Sequence, residues 1–197
     1  YFFDEGDLVS AAVENQGIFR VWSAPGGVPA KKDYSFTRTA VTARATWKPL
    51  DNYMVRCEQP GMPFAMTAPQ PYEFVDQGVQ YLLLGSAWDV TRIIHMEGFE
   101  RLDAQETTRL GYSTGRWEGN TLVVETAQIN WPYFDDIGTP QSEAAEIIER
   151  FTLSSDQARL DYHMTITDPA IFTEPAVYER YWLALGETVP AYDCQVF

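Results

Sequence analysis

The stretch AEIIERFTLSSDQARLDYHMTITD, residues 145–168, decides the fold, because it holds two strand patterns joined by a polar turn. Residues 146–153 and 158–168 are rich in β-branched and aromatic residues, and SSDQ at 154–157 separates them. This arrangement is typical of a β-hairpin. Because successive side chains of a strand point to opposite faces, each of the two strands has one predominantly apolar row.

Carboxylates interrupt these apolar rows. Glu149 shares a row with isoleucine, phenylalanine and leucine, and Asp168 ends the apolar row of the second strand. In NTLVVETAQIN, residues 120–130, Glu125 shares a row with Val123 and Ile129. A carboxylate among apolar side chains is either paired or has a raised pKa. We therefore expect these three carboxylates to face the interior.

Further strand patterns occupy most of the chain after residue 71. Residues 72–98 contain three apolar runs, residues 115–129 a turn and a strand, and residues 176–185 another strand. About seven or eight strands with short connections predict a mainly β fold. We expect an antiparallel meander that forms a lipocalin-like (calycin-type) β-barrel or a closely related sandwich, since both architectures produce the same alternation.

The length of 197 residues is enough for one sizeable core, so we expect a single domain spanning residues 1–197. In residues 1–71 the sequence predicts loops, one or two short helices and a strand, and we expect this part to pack on the barrel formed by residues 72–197. The clearest helical spacing lies in residues 35–52, with Ser35 or Thr37 as the N-cap and Pro49 as the stop.

Composition excludes several classes of partner. Lys and Arg total 14 against 28 Asp and Glu, a formal net charge of −14. Long-range repulsion then disfavours nucleic acid and anionic membranes, and no apolar run approaches the roughly 20 residues that span a bilayer. The two histidines fall on unlike strand faces, and no calcium-loop or phosphate-loop pattern is present. We expect no metal and no cofactor.

The candidate catalytic residues are acids, arginines and one histidine. Glu149 or Asp168 would be a general base, and His95, which ends an apolar strand, would be an acid or base near neutral pH. A turn-capping or core role is the alternative for His95, and a structural salt bridge to an arginine is the alternative for each carboxylate. The full set is Glu149, Asp168, His95, Arg92, Arg150 and Glu125.

Aromatic residues predict where a ligand would bind. The loop INWPYFDDIG, residues 129–138, follows the strand that carries Glu125 and would lie near one barrel mouth. It would either line a pocket for an apolar or aromatic molecule or pack as a lid over the core. The predicted substrate-binding residues are Trp88, Trp117, Gln128, Asn130, Trp131, Tyr133 and Phe134.

Several blocks together resemble a large family of exported bacterial proteins of unknown function. They are RCEQPGMP, PYEFVDQG, VTRIIHMEG, GYSTGRWEGNTLVVET, FDDIGTPQSEAAEIIERFT, TITDPAIFTEP and YDC, in this order. The resemblance implies an exported, periplasmic or secreted location, which would suit a chain whose signal has been removed. Many relatives have histidine where this chain has Gln141, so a histidine-dependent mechanism in them does not transfer.

The two cysteines, Cys57 and Cys194, lack the spacing of a metal or redox site. They form either one disulfide or two buried thiols. Since disulfides belong to oxidising compartments, the exported location that the resemblance implies favours the bridge.

Three functions are compatible with these patterns. The first is a cofactor-independent acid–base enzyme (a lyase, isomerase, cyclase or hydrolase) that acts on a small, largely apolar or aromatic molecule in a barrel pocket. There Arg92 or Arg150 would stabilise developing negative charge. The second is a non-catalytic lipocalin-like protein that captures such a ligand. The third is a structural or interaction-only protein, with a filled core and no pocket. In each case we expect a monomer or a small homo-oligomer.

Overall fold

The computed structural model describes residues 17–24, 34–85, 89–99, 107–184, 186, 188–189 and 192–194. These residues form one helix, three short 3₁₀ turns and nine strands. The helix α1 is Arg38–Thr46. The strands are β1 (Val21–Trp22), β2 (Tyr72–Asp76), β3 (Gln80–Gly85), β4 (Val90–Met96), β5 (Tyr112–Glu118), β6 (Thr121–Ala127), β7 (Glu146–Leu153), β8 (Arg159–Thr167) and β9 (Ala176–Leu183).

The nine strands form one sheet in which each strand pairs with its neighbours in sequence. Backbone hydrogen bonds of 2.9 Å in both directions between Ser23, directly after β1, and Leu183 of β9 bring the first and last strands together. The sheet is thus a nearly closed barrel, and the predicted barrel fold is confirmed. The alternative of a sandwich is not what the chain adopts.

One strand pair departs from the predicted antiparallel meander. Strands β4 and β5 run parallel, with Ile94 beside Ser113 and Met96 beside Gly115. Parallel neighbours need a crossover rather than a tight turn, which agrees with the distance in sequence between the end of β4 at Met96 and the start of β5 at Tyr112. The other neighbouring pairs are antiparallel.

The N-terminal part follows its local sequence signals. The predicted helix exists as α1, and Thr37 caps it by accepting a hydrogen bond from the backbone N–H of Ala40. This contact satisfies one of the N–H groups that a helix start leaves unpaired. Strand β1 joins the barrel sheet itself, so residues before 72 contribute to the barrel as well as packing on it.

Aromatic side chains fill the interior near the β7–β8 turn. Trp22, Phe151, Tyr162 and Trp182 are at most 2 % exposed. Phe151 lies 4.8 Å from Tyr162, and Tyr162 lies 5.0 Å from Trp182, measured between ring centroids. Side chains that are buried this completely leave no room between them for a ligand. The third alternative, a filled barrel, therefore describes this part of the interior.

Three segments cover the opposite barrel end. The first is the loop region on either side of α1 (residues 34–57), and the other two are the loops 128–145 and 168–175. Phe36 of the first loop bridges to Phe172 of the third, and the rings of Tyr34, Phe134 and Phe172 pack edge-on at 4.9–5.8 Å. Asp135 of the second loop pairs with Arg44 of α1 at 3.5 Å. This end of the barrel is a packed cap.

A disulfide joins Cys57, in the cap, to Cys194 near the C-terminus. Of the two alternatives for the cysteines, the structure contains the bridge. Beside it, the backbone N–H of Tyr192 donates to Asp89, directly before β4. The C-terminal residues are thereby fastened to the capped end of the barrel.

Replacing both cysteines by serine is expected to lower the free energy of unfolding by about 5 kcal/mol, because the bridge closes a loop of 137 residues in the unfolded chain. Denaturant titration followed by tryptophan fluorescence measures the loss. Reducing agent should destabilise the wild type and leave the double-serine variant unchanged. Equal unfolding midpoints for the two proteins would show that the bridge does not constrain the chain.

Candidate functional site

An ion pair between Arg92 of β4 and Glu149 of β7 crosses the barrel interior. The two side chains are 1 % and 0 % exposed. Both guanidinium Nη atoms donate to the carboxylate, Nη1 to Oε1 at 2.9 Å and Nη2 to Oε2. Burial alone would lower the pKa of Arg92, but the charge and hydrogen bonds of Glu149 outweigh it and raise that pKa. The guanidinium of Arg92 therefore stays protonated.

Hydroxyl groups complete the coordination of this pair. Arg92 also donates to Ser113 on β5 at 3.0–3.1 Å and to Thr126 on β6 at 2.7 Å. The Tyr162 hydroxyl donates to Glu149 Oε1 at 2.8 Å. Burial raises the pKa of Tyr162, and the charge of Glu149 raises it further, so the phenol stays protonated. Four strands besides β7 thus meet at one saturated polar cluster.

The prediction that Glu149 faces the interior is confirmed. Its contacts favour a structural role, since the buried carboxylate accepts hydrogen bonds from both Nη atoms of Arg92 and from the Tyr162 hydroxyl. Arg92 belongs to the same cluster, and its guanidinium donates to Glu149 and to two hydroxyl groups. The predicted catalytic roles of the two residues stay predictions.

The prediction that Glu125 faces the barrel interior is wrong. Its side chain is 51 % exposed and pairs with Arg116 at 2.6 Å on the outer surface. The inner row of β6 is instead Leu122, Val124 and Thr126, all buried. Val123 and Glu125 share the outer face of β6. Val123 is apolar and buried there, where the register places it between Arg116 and Arg150, so its row looked like an interior row in the sequence. Long arginine side chains cover such a residue with their aliphatic stems.

Arg150 and Asp168 also lie away from the interior cluster. Arg150 is on the outer face of β7 and pairs with Glu118 at 2.8 Å. Asp168 is 2 % exposed, and its carboxylate accepts from the backbone N–H and the hydroxyl of Ser142, both at 2.8 Å. The carboxylate therefore fastens two cap loops together. These contacts, which are with described residues, do not support its predicted role as a base, and that role stays a prediction.

His95 lies on the outer side of β4 in a stack of three rings. Its imidazole is 4.3 Å from the Phe99 ring and 4.7 Å from the Tyr112 ring, and Nδ1 is 3.1 Å from the side-chain amide of Gln80. Burial lowers the pKa of His95 and favours the neutral ring. A cleft of about 260 Å³ adjoins it, lined also by Thr114 and Arg116.

The predicted substrate-binding residues do not gather in one pocket. Trp131 and Tyr133 pack against the buried ring of Tyr53 at 4.8 and 5.6 Å, so the lid alternative describes their loop, and Phe134 belongs to the same cap. Trp117 lies in β5 near the opposite barrel end, and its Nε1–H donates to the Tyr81 hydroxyl. Two further residues, Gln128 and Asn130, are exposed, and Trp88 lies outside the described residues.

The sequence did not predict a second cleft, on the outer face of β7, β8 and β9. It has a volume of about 440 Å³ and is lined by residues of these three strands: Arg150, Thr152, Arg159, Asp161, Tyr162, His163, Glu179, Arg180 and Tyr181. We call it the outer cleft. The sequence does show the signal: the polar row of β8 alternates Arg159, Asp161 and His163, a row that predicted only a solvated face.

Comparison of the chain with known family models, curated proteins and solved structures finds no match. Within the described ranges, no helix has the length and apolarity to cross a membrane. Histidine, cysteine, aspartate and glutamate side chains form no group of three that could hold a metal ion in the part of the chain that the structure describes.

Glu149→Gln is expected to lower the free energy of unfolding by about 3–5 kcal/mol, because it leaves the buried Arg92 charge without a counter-ion. Glu125→Gln is the matched control, since it removes the same charge from an exposed pair and should leave stability nearly unchanged. Denaturant titration of both variants measures the difference. A similar loss in the two would show that the interior pair does not hold the fold.

The neutral His95 ring is expected to make stability depend on pH. A folded-state pKa below the unfolded value of 6.5 means that its contribution is present above pH 6.5 and is lost as the pH falls toward the folded pKa. His95→Phe keeps a ring in the stack and removes the titration. The difference in unfolding free energy between wild type and His95→Phe should therefore shift against the wild type below pH 6.5. A pH-independent difference would contradict the lowered pKa.

Proposed function

We propose that this chain is a small-molecule-binding barrel protein that captures a polar ligand in the outer cleft, not in the barrel interior. The observation that carries the proposal is the cleft itself. Its volume of about 440 Å³ falls within the range of about 300–1,000 Å³ that is usual for ligand pockets. Its lining offers charged groups, a hydroxyl and an aromatic ring within one surface.

The interior supports this choice of site by being occupied. The rings of Trp22, Phe151 and Trp182 are at most 1 % exposed, and the Arg92–Glu149 pair uses the charged groups that a lumenal ligand would need. A ligand in the lumen would have to displace packed aromatic rings or break a buried ion pair, and each of these changes is costly.

Acid–base catalysis stays a prediction. Each carboxylate that was predicted for it accepts a hydrogen bond from an arginine or a serine side chain. The binding alternative requires only recognition, for which the outer cleft provides donors and acceptors. An exported location is part of the same proposal, and the Cys57–Cys194 bridge supports it because disulfides persist in oxidising compartments.

The proposal predicts that polar small molecules perturb the cleft and no other surface. A panel of neutral monosaccharides, carboxylic acids, phosphate monoesters and amino acids would be added singly to ¹⁵N-labelled protein. At least one compound should shift the backbone amide signals of Thr152, Asp161 and Tyr181, which neighbour one another across β7, β8 and β9.

Tyr181→Ala should weaken that response, because it removes a ring from the cleft. Trp117→Ala is the control: Trp117 is similarly exposed, at 39 % against 37 % for Tyr181, but does not line the cleft. The proposal fails if no compound of the panel shifts these three amides, or if those that bind shift only signals of the interior or the cap.

A further inference from the structure

We infer that the ligand of the outer cleft is a neutral polyhydroxylated molecule, that is, a saccharide. This inference rests on the proposed function, since it names the ligand class of the same cleft. Three features carry it: the pairing of the charges, the hydrogen-bonding groups that the pairs leave over, and the partly exposed ring of Tyr181.

Two arginines that line the cleft already pair with carboxylates. Arg150 pairs with Glu118 at 2.8 Å, and Arg159 pairs with Asp161 at 2.5 Å. An anionic ligand would have to compete with these carboxylates, and a cationic ligand with these arginines. A neutral ligand can bind without separating any pair.

Each pair keeps hydrogen-bonding capacity that a hydroxyl group can use. Arg150 has five N–H donors, and its one contact with a described residue is that of Nη2 with Glu118. Both contacts of Arg159 with Asp161 end on Oδ1, so Oδ2 keeps its acceptor capacity among the described contacts. Arg150 and Asp161 lie on adjacent strands, at neighbouring register positions.

A cleft that offers both donors and acceptors suits a polyol, because each sugar hydroxyl both donates and accepts. Neighbouring hydroxyls of one ring can then accept from the guanidinium and donate to the carboxylate. Anions offer acceptors only, and ammonium groups offer donors only. The mixed lining therefore favours the ligand class whose groups do both.

The ring of Tyr181 supplies an apolar surface beside these groups. It is 37 % exposed, and the Arg159 guanidinium lies 4.1 Å from its centroid, which fixes the ring next to Asp161. The C–H face of a sugar ring is apolar and packs on such a ring, while its hydroxyls reach the polar groups. Amphipathic tyrosine provides contact area of this kind at low entropic cost.

The test compares neutral, acidic and zwitterionic ligands at two salt concentrations. Glucose, galactose, mannose and N-acetylglucosamine, with their β-linked disaccharides, would be titrated into ¹⁵N-labelled protein beside citrate, glucose 6-phosphate and glycine. We expect at least one neutral saccharide to shift the amides of Thr152, Asp161 and Tyr181. Its affinity should be the same at low and high salt, because no net charge is screened.

Variants locate the contacts. Asp161→Asn and Arg150→Gln should each weaken saccharide binding about tenfold, the loss expected for one hydrogen bond to a charged group. Arg56→Gln is the control, since Arg56 is also exposed and paired with a carboxylate, at 2.6 Å from Glu58, but does not line the cleft. Unchanged amide spectra away from the cleft verify that the variants fold.

The outcomes separate the two proposals. Binding of citrate, glucose 6-phosphate or glycine at the cleft without any neutral saccharide overturns the saccharide inference and leaves the cleft as a binding site. Saccharide shifts that persist unchanged in Asp161→Asn and Arg150→Gln also overturn it. Silence of the cleft amides toward every compound overturns both.

Discussion

The structure depends on one buried ion pair. Arg92 and Glu149 reach toward each other across the barrel interior, and two charges in that position are tolerated only when each satisfies the other and their remaining groups find partners. Strands β4, β5, β6, β7 and β8 each supply one member of the cluster, from Arg92 through Ser113 and Thr126 to Glu149 and Tyr162. A slip of one residue in any of these strands would turn a member outward, so the cluster fixes the register.

Because its interior is filled, the barrel has its candidate binding site on the outer surface. Between the polar cluster and the β7–β8 turn, the interior is filled by aromatic rings, and the other end is closed by the cap with Tyr53, Phe134 and Phe172. A barrel that is packed in this way leaves its outer face for the binding that we propose. On β7, β8 and β9 that face carries paired charges and the partly exposed ring of Tyr181 beside a measurable cleft.

Local signals in the sequence predicted much of the fold and one half of the interior pair. The helix N-cap Thr37 and the hairpin around residues 154–157 depend on neighbours in the chain. Glu149 lies in its row between two buried residues, Ile147 and Phe151. Glu125 could not be assigned correctly, because Val123 of the same row is buried on the outer face, between Arg116 and Arg150 of the two neighbouring strands. The parallel pairing of β4 and β5 and the outer cleft depend likewise on which distant strands become neighbours, and alternation within one strand does not contain that information.

Hydrogen exchange of the Arg92 guanidinium tests the central claim most directly, namely that the interior is a sealed structural cluster. ¹⁵N-edited NMR follows the Nε–H and Nη–H protons of a single buried arginine. The structure predicts that these protons exchange only through global unfolding, at a rate that a ligand of the outer cleft would lower by the factor 1 + [L]/Kd, the factor by which binding shifts the unfolding equilibrium. Exchange much faster than global unfolding would contradict the claim, because it would show that water reaches Arg92 and Glu149 in the folded protein.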